Sequence, residues 1–298
     1  MAPCGRNGPF RLGACLEFGV FDVAVTGASG FLGRAVVGAL RRSGRSVAAV
    51  SRRPGKGLVT VSDYRETPAA PVIVHLAETS DRAAANGEGE ATVSEAVNRV
   101  RALIGDGRAH IVLGSSVVVY GERGVAPFSV GDPTPADDAY ARAKLASESV
   151  VREAGGAILR LSNVYGPGMA RHSVLSDILA QIPGEGPLEV RDATPERDFL
   201  WIDDAAAAFV AAVVEGPAAA GTWNVASGRS VAIGRLAAMA LAAAGEAGRP
   251  VRSLRPGAGG SVWIDIEDTV SRFDWRPSTS LEEGIGRLVG AGRGRTEE

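Results

Sequence analysis

Apolar residues in this chain fall into short unbroken runs, separated by stretches where they recur every three or four positions. Val23-Ala24-Val25, Ser46 to Val50, Leu58 to Val61, Val72 to Leu76, Ile111 to Gly114 and Ala157 to Leu161 read as buried strands. Between them, Leu32, Val36, Ala39 and Leu40 share one helix face, as do Val93, Val97, Val100 and Ile104; a further helix is predicted from Asp137 to Glu153. Only about ten residues part the third strand from the fourth, too few for a full crossover helix. Residues 80–90 are polar and glycine-containing and read as a loop.

Beyond residue 161 the alternation loosens. Helices are predicted over Val174–Ile182, from Asp204 to about Val214 and over Ile233–Ala244, with strands over Leu188–Arg191, Gly221–Val225 and Trp263–Ile266. The pattern predicts an α/β protein. Residues 20–165 would form a doubly wound parallel sheet covered on both faces, and 166–298 a smaller mixed α/β part with segments returning to the first.

The stretch Thr26-Gly27-Ala28-Ser29-Gly30-Phe31-Leu32-Gly33 sits between the first strand and the first helix. Gly27 would allow the tight turn, Gly30 would let the backbone approach a pyrophosphate, and Gly33 would let the helix pack closely on the strand. The free N–H groups at the helix start favour an anion. The spacing is G-x-x-G-x-x-G rather than G-x-G-x-x-G, and its placement in a strand–turn–helix unit favours a nucleotide cofactor over a plain structural turn.

The second strand ends in Ser51-Arg52-Arg53, about 20 residues past the glycines, where this architecture places the adenosine ribose. A carboxylate there would accept hydrogen bonds from the ribose of NAD(H). The serine and arginines suit a 2′-phosphate instead, so NADP(H) is favoured and NAD(H) remains an alternative. His75, inside a strand, reads as a packed core histidine.

Composition narrows the classes. The chain has 298 residues, 45% of them hydrophobic, and a formal net charge of -2, a balance that argues against a nucleic-acid binder. Cys4 and Cys15 form no disulfide framework or metal-ligand cluster, so no metal is expected and a reducing, cytoplasmic setting fits. No apolar run approaches the ~20 residues of a membrane span. Residues 1–19 lack the apolar core of a signal peptide and read as a loose extension, or as the product of a start codon placed too far upstream.

Tyr140 and Lys144 lie four apart on a predicted helix and so share a face. A phenol, with a reference pKa of about 10, is a poor base at neutral pH. A neighbouring ammonium favours the phenolate, making the pair a tunable proton donor or acceptor for carbonyl and alcohol chemistry. Ser116, at the end of a parallel strand where open α/β sheets place their ligands, could hold a substrate oxygen.

These three groups of residues together resemble an extended short-chain dehydrogenase/reductase of the NAD(P)-dependent epimerase/dehydratase kind. The resemblance continues through Leu159-Arg160-Leu161-Ser162-Asn163-Val164-Tyr165-Gly166-Pro167 and Arg197-Asp198-Phe199-Leu200-Trp201-Ile202-Asp203-Asp204. It extends to Thr222-Trp223-Asn224-Val225-Ala226-Ser227-Gly228 and Trp275-Arg276-Pro277. It implies a Rossmann-type sheet with a smaller substrate-binding domain. It also implies a catalytic set of Ser116, Tyr140 and Lys144. Gly27, Ser29, Gly30, Phe31, Leu32 and Gly33 would hold the cofactor with Ser51, Arg52, Arg53, Tyr140 and Lys144. Asp63 would approach the adenine, and Leu76 and Ala77 would line the channel. Asn163, Arg197 and Arg255 would bind the diphosphate of a sugar nucleotide, and family members commonly pair as homodimers through the helix carrying Tyr140 and its neighbour.

Departures from the family pattern sharpen the expected activity. Val117-Val118 replaces the Asp-Glu pair that sugar 4,6-dehydratases carry after the active-site hydroxyl, which speaks against dehydration. Ser173 stands where epimerases tend to have asparagine, and residues 78–90 lack the usual asparagine pattern. The expectation is an NADPH-dependent reductase of a nucleotide-linked keto-sugar, at C4, in deoxysugar biosynthesis. The alternatives are an NAD-dependent 4-epimerase and, from another class, a non-catalytic NADP-binding regulator.

Overall fold

The computed structural model describes residues 21–293 apart from 106, 108, 123–126, 172 and 258, so residues 1–19, with both cysteines, lie outside the described residues. The first half runs β1 (Val23–Thr26), α1 (Phe31–Arg42), β2 (Val47–Ser51), β3 (Val59–Thr60), β4 (Val72–His75), α2 (Arg82–Glu88), α3 (Glu90–Ile104), β5 (His110–Ser116), α4 (Ala139–Glu153) and β6 (Ala157–Leu161). The second half runs β7 (Asn163–Tyr165), α5 (Val174–Leu179), β8 (Leu188–Val190), β9 (Glu196–Trp201), α6 (Ile202–Glu215), β10 (Gly221–Val225), β11 (Ser230–Ala232), α7 (Ile233–Ala243), β12 (Val251–Ser253), α8 (Glu267–Phe273) and α9 (Leu281–Arg293).

Seven strands form one parallel sheet in the order β10-β6-β5-β4-β1-β2-β3. Every residue of β1, β2, β4 and β6 is buried, which is why these strands read as continuous apolar runs rather than alternating ones. One face packs on α1 and α6, where Val36, Leu40, Ala205 and Phe209 meet Val25, Val74 and Leu159. The other face packs on α3 and α4 through Val100, Leu103 and Val151. The chain reverses its strand order between β1 and β4, and a Rossmann-type sheet presents its ligand crevice at that point.

The second half is not self-contained. β10 extends the parallel sheet beside β6, and α6 covers the sheet next to α1. The remainder builds a three-stranded sheet, β11-β9-β7, and a two-stranded one, β12-β8, around their own core of Leu175, Leu188, Trp201 and Leu236.

Two expectations need correction. Residues 80–90 are not all loop: Arg82–Glu88 is a helix whose N-cap, Asp81, accepts a hydrogen bond from the Ala84 amide at 3.0 Å. Trp263–Ile266 forms no strand and contributes one parallel bridge, from Ile264 to Phe128. Strands β7, β9, β11 and β12 and helices α8 and α9 went unpredicted. The third-to-fourth connection is abbreviated as expected, a single 3-10 turn over Tyr64–Glu66.

Candidate active site

The glycine turn is built for close approach. Gly27 has φ of +71°, and a Cβ there would stand 2.6 Å from the Leu76 carbonyl carbon. A Cβ on Gly33 would stand 2.1 Å from the Gly27 carbonyl oxygen, so helix α1 can lie against the turn only without one. Gly30 caps α1 with no side-chain hydrogen bond, which leaves the first amides of the helix facing outward.

From this turn a groove of about 590 Å³ runs across the ends of the parallel strands. Its walls include Ser29, Phe31 and Leu32 from the turn, Ser51, Arg52 and Arg53 from the end of β2, and Leu76 and Ala77 from the end of β4. Ser116, Tyr140 and Lys144 face it from the far end. Ser51 is buried and its hydroxyl lies 3.0 Å from that of Ser29, while the Arg53 amide donates to Ser51 Oγ at 3.0 Å. The Arg52 guanidinium lies 5.8 Å from the Tyr64 ring centre and 3.7 Å from Glu95. Asp63 stands just outside the groove. Its carboxylate caps the 3-10 turn and pairs with Arg65, which holds it well below the usual carboxylate range, at about 2.

Three side chains fix the start of α4. Asp138 caps α4 by accepting from the Ala141 amide at 2.8 Å, and Arg82 of α2 pairs with the same carboxylate at 2.5 Å. Asn86, also of α2, accepts from the Tyr140 amide at 3.0 Å. Tyr140 therefore sits in the first turn with Lys144 one turn on, and the ammonium lies 5.5 Å from the Tyr140 ring centre. Ser116 ends β5, and its Oγ accepts from the Val118 amide at 3.3 Å, so the hydroxyl hydrogen stays free to point into the groove. Behind it, Ser115 donates to Glu148, which is fully buried and paired with Arg160.

Glu78 went unrecognised in the sequence. It follows Ala77 directly, and its carboxylate meets the Lys144 ammonium at 2.5 Å and accepts a short hydrogen bond from Ser147. Burial works against charge on both partners, but their mutual attraction prevails. It holds Lys144 above its ordinary value and Glu78 below it. The one usable signal was a carboxylate placed just past an apolar strand at the groove.

A second cavity of about 500 Å³ opens on the other side of Ser116. It shares Ser116, Val118, Asn163 and Ser173 with the groove and continues to Arg191, Arg197 and Phe199. Asn163 donates to the Asp198 carbonyl at 2.9 Å. Arg197 is held by Glu122 at 2.9 Å and by the Gly260 carbonyl. Asp198, buried behind Ser162, accepts from Ser162 and from the Ser227 and Arg229 amides, and burial pushes its carboxyl up. The structure brings Asn163 and Arg197 into this cleft but leaves Arg255 exposed outside its wall, where Arg191 stands instead.

Sheet, glycine turn, the serine at the end of β5 and the Tyr140–Lys144 helix together define an enzyme of the extended short-chain dehydrogenase/reductase type. The chain belongs to the NAD dependent epimerase/dehydratase family, whose model matches residues 23–226. It is similar to a dTDP-L-rhamnose 4-epimerase from Burkholderia thailandensis, 30% identical over 271 residues, covering 73% of this chain and 73% of that protein. It is also similar to a dTDP-4-dehydro-6-deoxyglucose reductase from Escherichia coli, 27% identical over 194 residues and 60% of each chain. Among solved structures it resembles MoeE5 in complex with UDP-glucuronic acid and NAD, at a TM-score of 0.76 and 26% identity, over 92% of this chain and 99% of that one.

Among the described residues, no group of three or more His, Cys, Asp or Glu side chains could hold a metal, and no helix is long and apolar enough to cross a membrane.

Proposed function

We propose that this chain is an NADPH-dependent ketoreductase acting on a nucleotide-diphosphate 4-keto sugar. The observation that carries the reading is the meeting of the two cavities at Ser116: a groove edged by Ser51, Arg52 and Arg53 runs into a cleft edged by Asn163, Arg191 and Arg197.

The groove suits a dinucleotide, because the space that a Cβ on Gly27 or Gly33 would fill is taken by backbone and the amides at the start of α1 are free for phosphate. Ser51, Arg52 and Arg53 would hold a 2′-phosphate, for which an arginine fork and a hydroxyl are suited donors. Such a cofactor supplies a hydride when bound.

The chain's own residues do the rest. Ser116 donates its hydroxyl hydrogen to the carbonyl oxygen and orients it. Tyr140 gives its phenolic proton to the alkoxide as it forms. Lys144 stabilises the phenolate left behind. Arg191 and Arg197 hold the diphosphate, with Glu122 yielding Arg197 to it. Val117 and Val118 after Ser116 supply no acid for a leaving hydroxyl, so no dehydration follows.

The test is NADPH consumption with dTDP-, UDP- and GDP-linked 4-keto sugars in turn. Turnover with one of them, lost by 10²-fold or more in Tyr140→Phe, is expected. Release of bound NAD from denatured protein would overturn the reading in favour of a 4-epimerase, the second reading that the rhamnose epimerase relative supports.

A further inference from the structure

We propose that Glu78 is a positioning residue that offsets the charge on Lys144 and so reserves Tyr140 for proton donation. The inference rests on the ketoreductase reading, in which Tyr140 acts as an acid.

The geometry is specific. Side chains of Glu78 and Lys144 are 5% and 8% exposed, and their charged atoms are 2.5 Å apart. Ser147, one turn after Lys144, binds the second carboxylate oxygen, so Glu78 is held from two points on the catalytic helix. Buried charges are screened little by solvent or salt, so each is felt by the Tyr140 ring, which lines the same small cavity. A lone ammonium beside a phenol draws out its proton; an ammonium already matched by a carboxylate does so far less.

The other charged groups around the pair are accounted for. His75, at the end of β4, is fully buried and stays neutral, its pKa lowered to about 4 mainly by burial. Arg99 of α3 donates to the Ala77 carbonyl at 3.3 Å and pairs with Glu95. Arg82 of α2 is matched by Asp138. Glu148, on α4, is matched by Arg160. Glu78 is thus the carboxylate assigned to Lys144. An unmatched Lys144 would favour a phenolate at rest; the pair keeps the resting Tyr140 a phenol, the form that has a proton to give.

The experiment titrates the phenol directly. Ultraviolet difference spectra between wild type and Tyr140→Phe, taken across pH, isolate Tyr140 from the remaining tyrosines. The same difference is then measured in the Glu78→Gln background. The expected result is a phenolate midpoint lower by about one pH unit in E78Q. The alkaline limb of kcat/KM for sugar reduction should move the same way, and both should return in Glu78→Asp.

Glu78→Ala, which leaves room for water beside the ammonium, replaces E78Q should that variant not fold. A midpoint within about 0.3 units of wild type in the folded variant overturns the proposal, even if kcat falls. The outcomes separate cleanly. If wild type reduces no keto-sugar, the ketoreductase reading fails, while the titration still decides what Glu78 does to Tyr140.

Discussion

Arg160 grips Glu148 with two nitrogens, at 3.0 and 2.7 Å, in the interior behind Ser115. The pair is extended by Ser115 on one side and by Tyr120, which bonds both Arg160 and Asn224, on the other. β5, α4, β6 and β10 are thereby tied together beneath Ser116. The sequence Leu159-Arg160-Leu161 places an arginine in the middle of an apolar strand, and this network is what makes that tolerable.

Breaking the pair from one side strands a charge. Arg160→Met should cost about 3–5 kcal/mol in a urea unfolding experiment, because Glu148 is left buried without its cation. The double replacement Arg160→Met with Glu148→Leu should recover much of that loss.

Two glycines of the same helix should respond in opposite ways. Gly33→Ala forces a methyl into the Gly27 carbonyl, so it should lose roughly 2–3 kcal/mol of stability and weaken NADPH binding at least tenfold, read by nucleotide fluorescence. Gly38, on the same helix, would bring a Cβ to 3.2 Å of the movable tip of Arg42. Gly38→Ala should be neutral or stabilise by up to about 1 kcal/mol.

Cofactor choice can be read at the end of β2. Arg53→Ala should raise the Kd for NADPH about tenfold or more and leave that for NADH within about twofold, measured by titration calorimetry. Equal loss for both dinucleotides would remove the 2′-phosphate role.

His75 predicts an acid-side loss of stability. Its Nδ1 lies 2.7 Å from Thr26 Oγ1, and burial lowers its pKa from 6.5 to about 4. Because the unfolded histidine takes up a proton at higher pH than the folded one, the contribution is complete above about 6.5. It falls away as pH drops toward 4. The full effect is roughly 3 kcal/mol. Urea midpoints for wild type and His75→Gln at pH 7.5 and 4.5 should differ accordingly, the variant losing less between the two.

What could be read from the sequence was what neighbouring residues decide together. The parallel strands announced themselves because burial on both faces makes them uniformly apolar. The glycine turn and Tyr140–Lys144 are local spacings. β9, by contrast, opens with the charged Glu196, Arg197 and Asp198, running from exposed to buried, so its first residues lack a strand's signature. α2 is an alanine-rich helix interrupted by Asn86-Gly87, and its polar residues look like those of a loop. Glu78 and Lys144 stand 66 positions apart, and nothing in either segment signals the other. Trp263–Ile266 has the apolar content of a strand but finds a single pairing partner, at Phe128.

The seventh strand of the sheet, Gly221–Val225, has a consequence for how such enzymes can diverge. The second half of the chain is not a cassette that can be exchanged at one seam near residue 166. A transplant cut there would carry away β10 and α6, uncover the edge of β6 and strip the lid from Val25 and Leu159. New substrate preferences must therefore be grafted by replacing inserted pieces around a retained strand and helix, or by changing single side chains in the cleft.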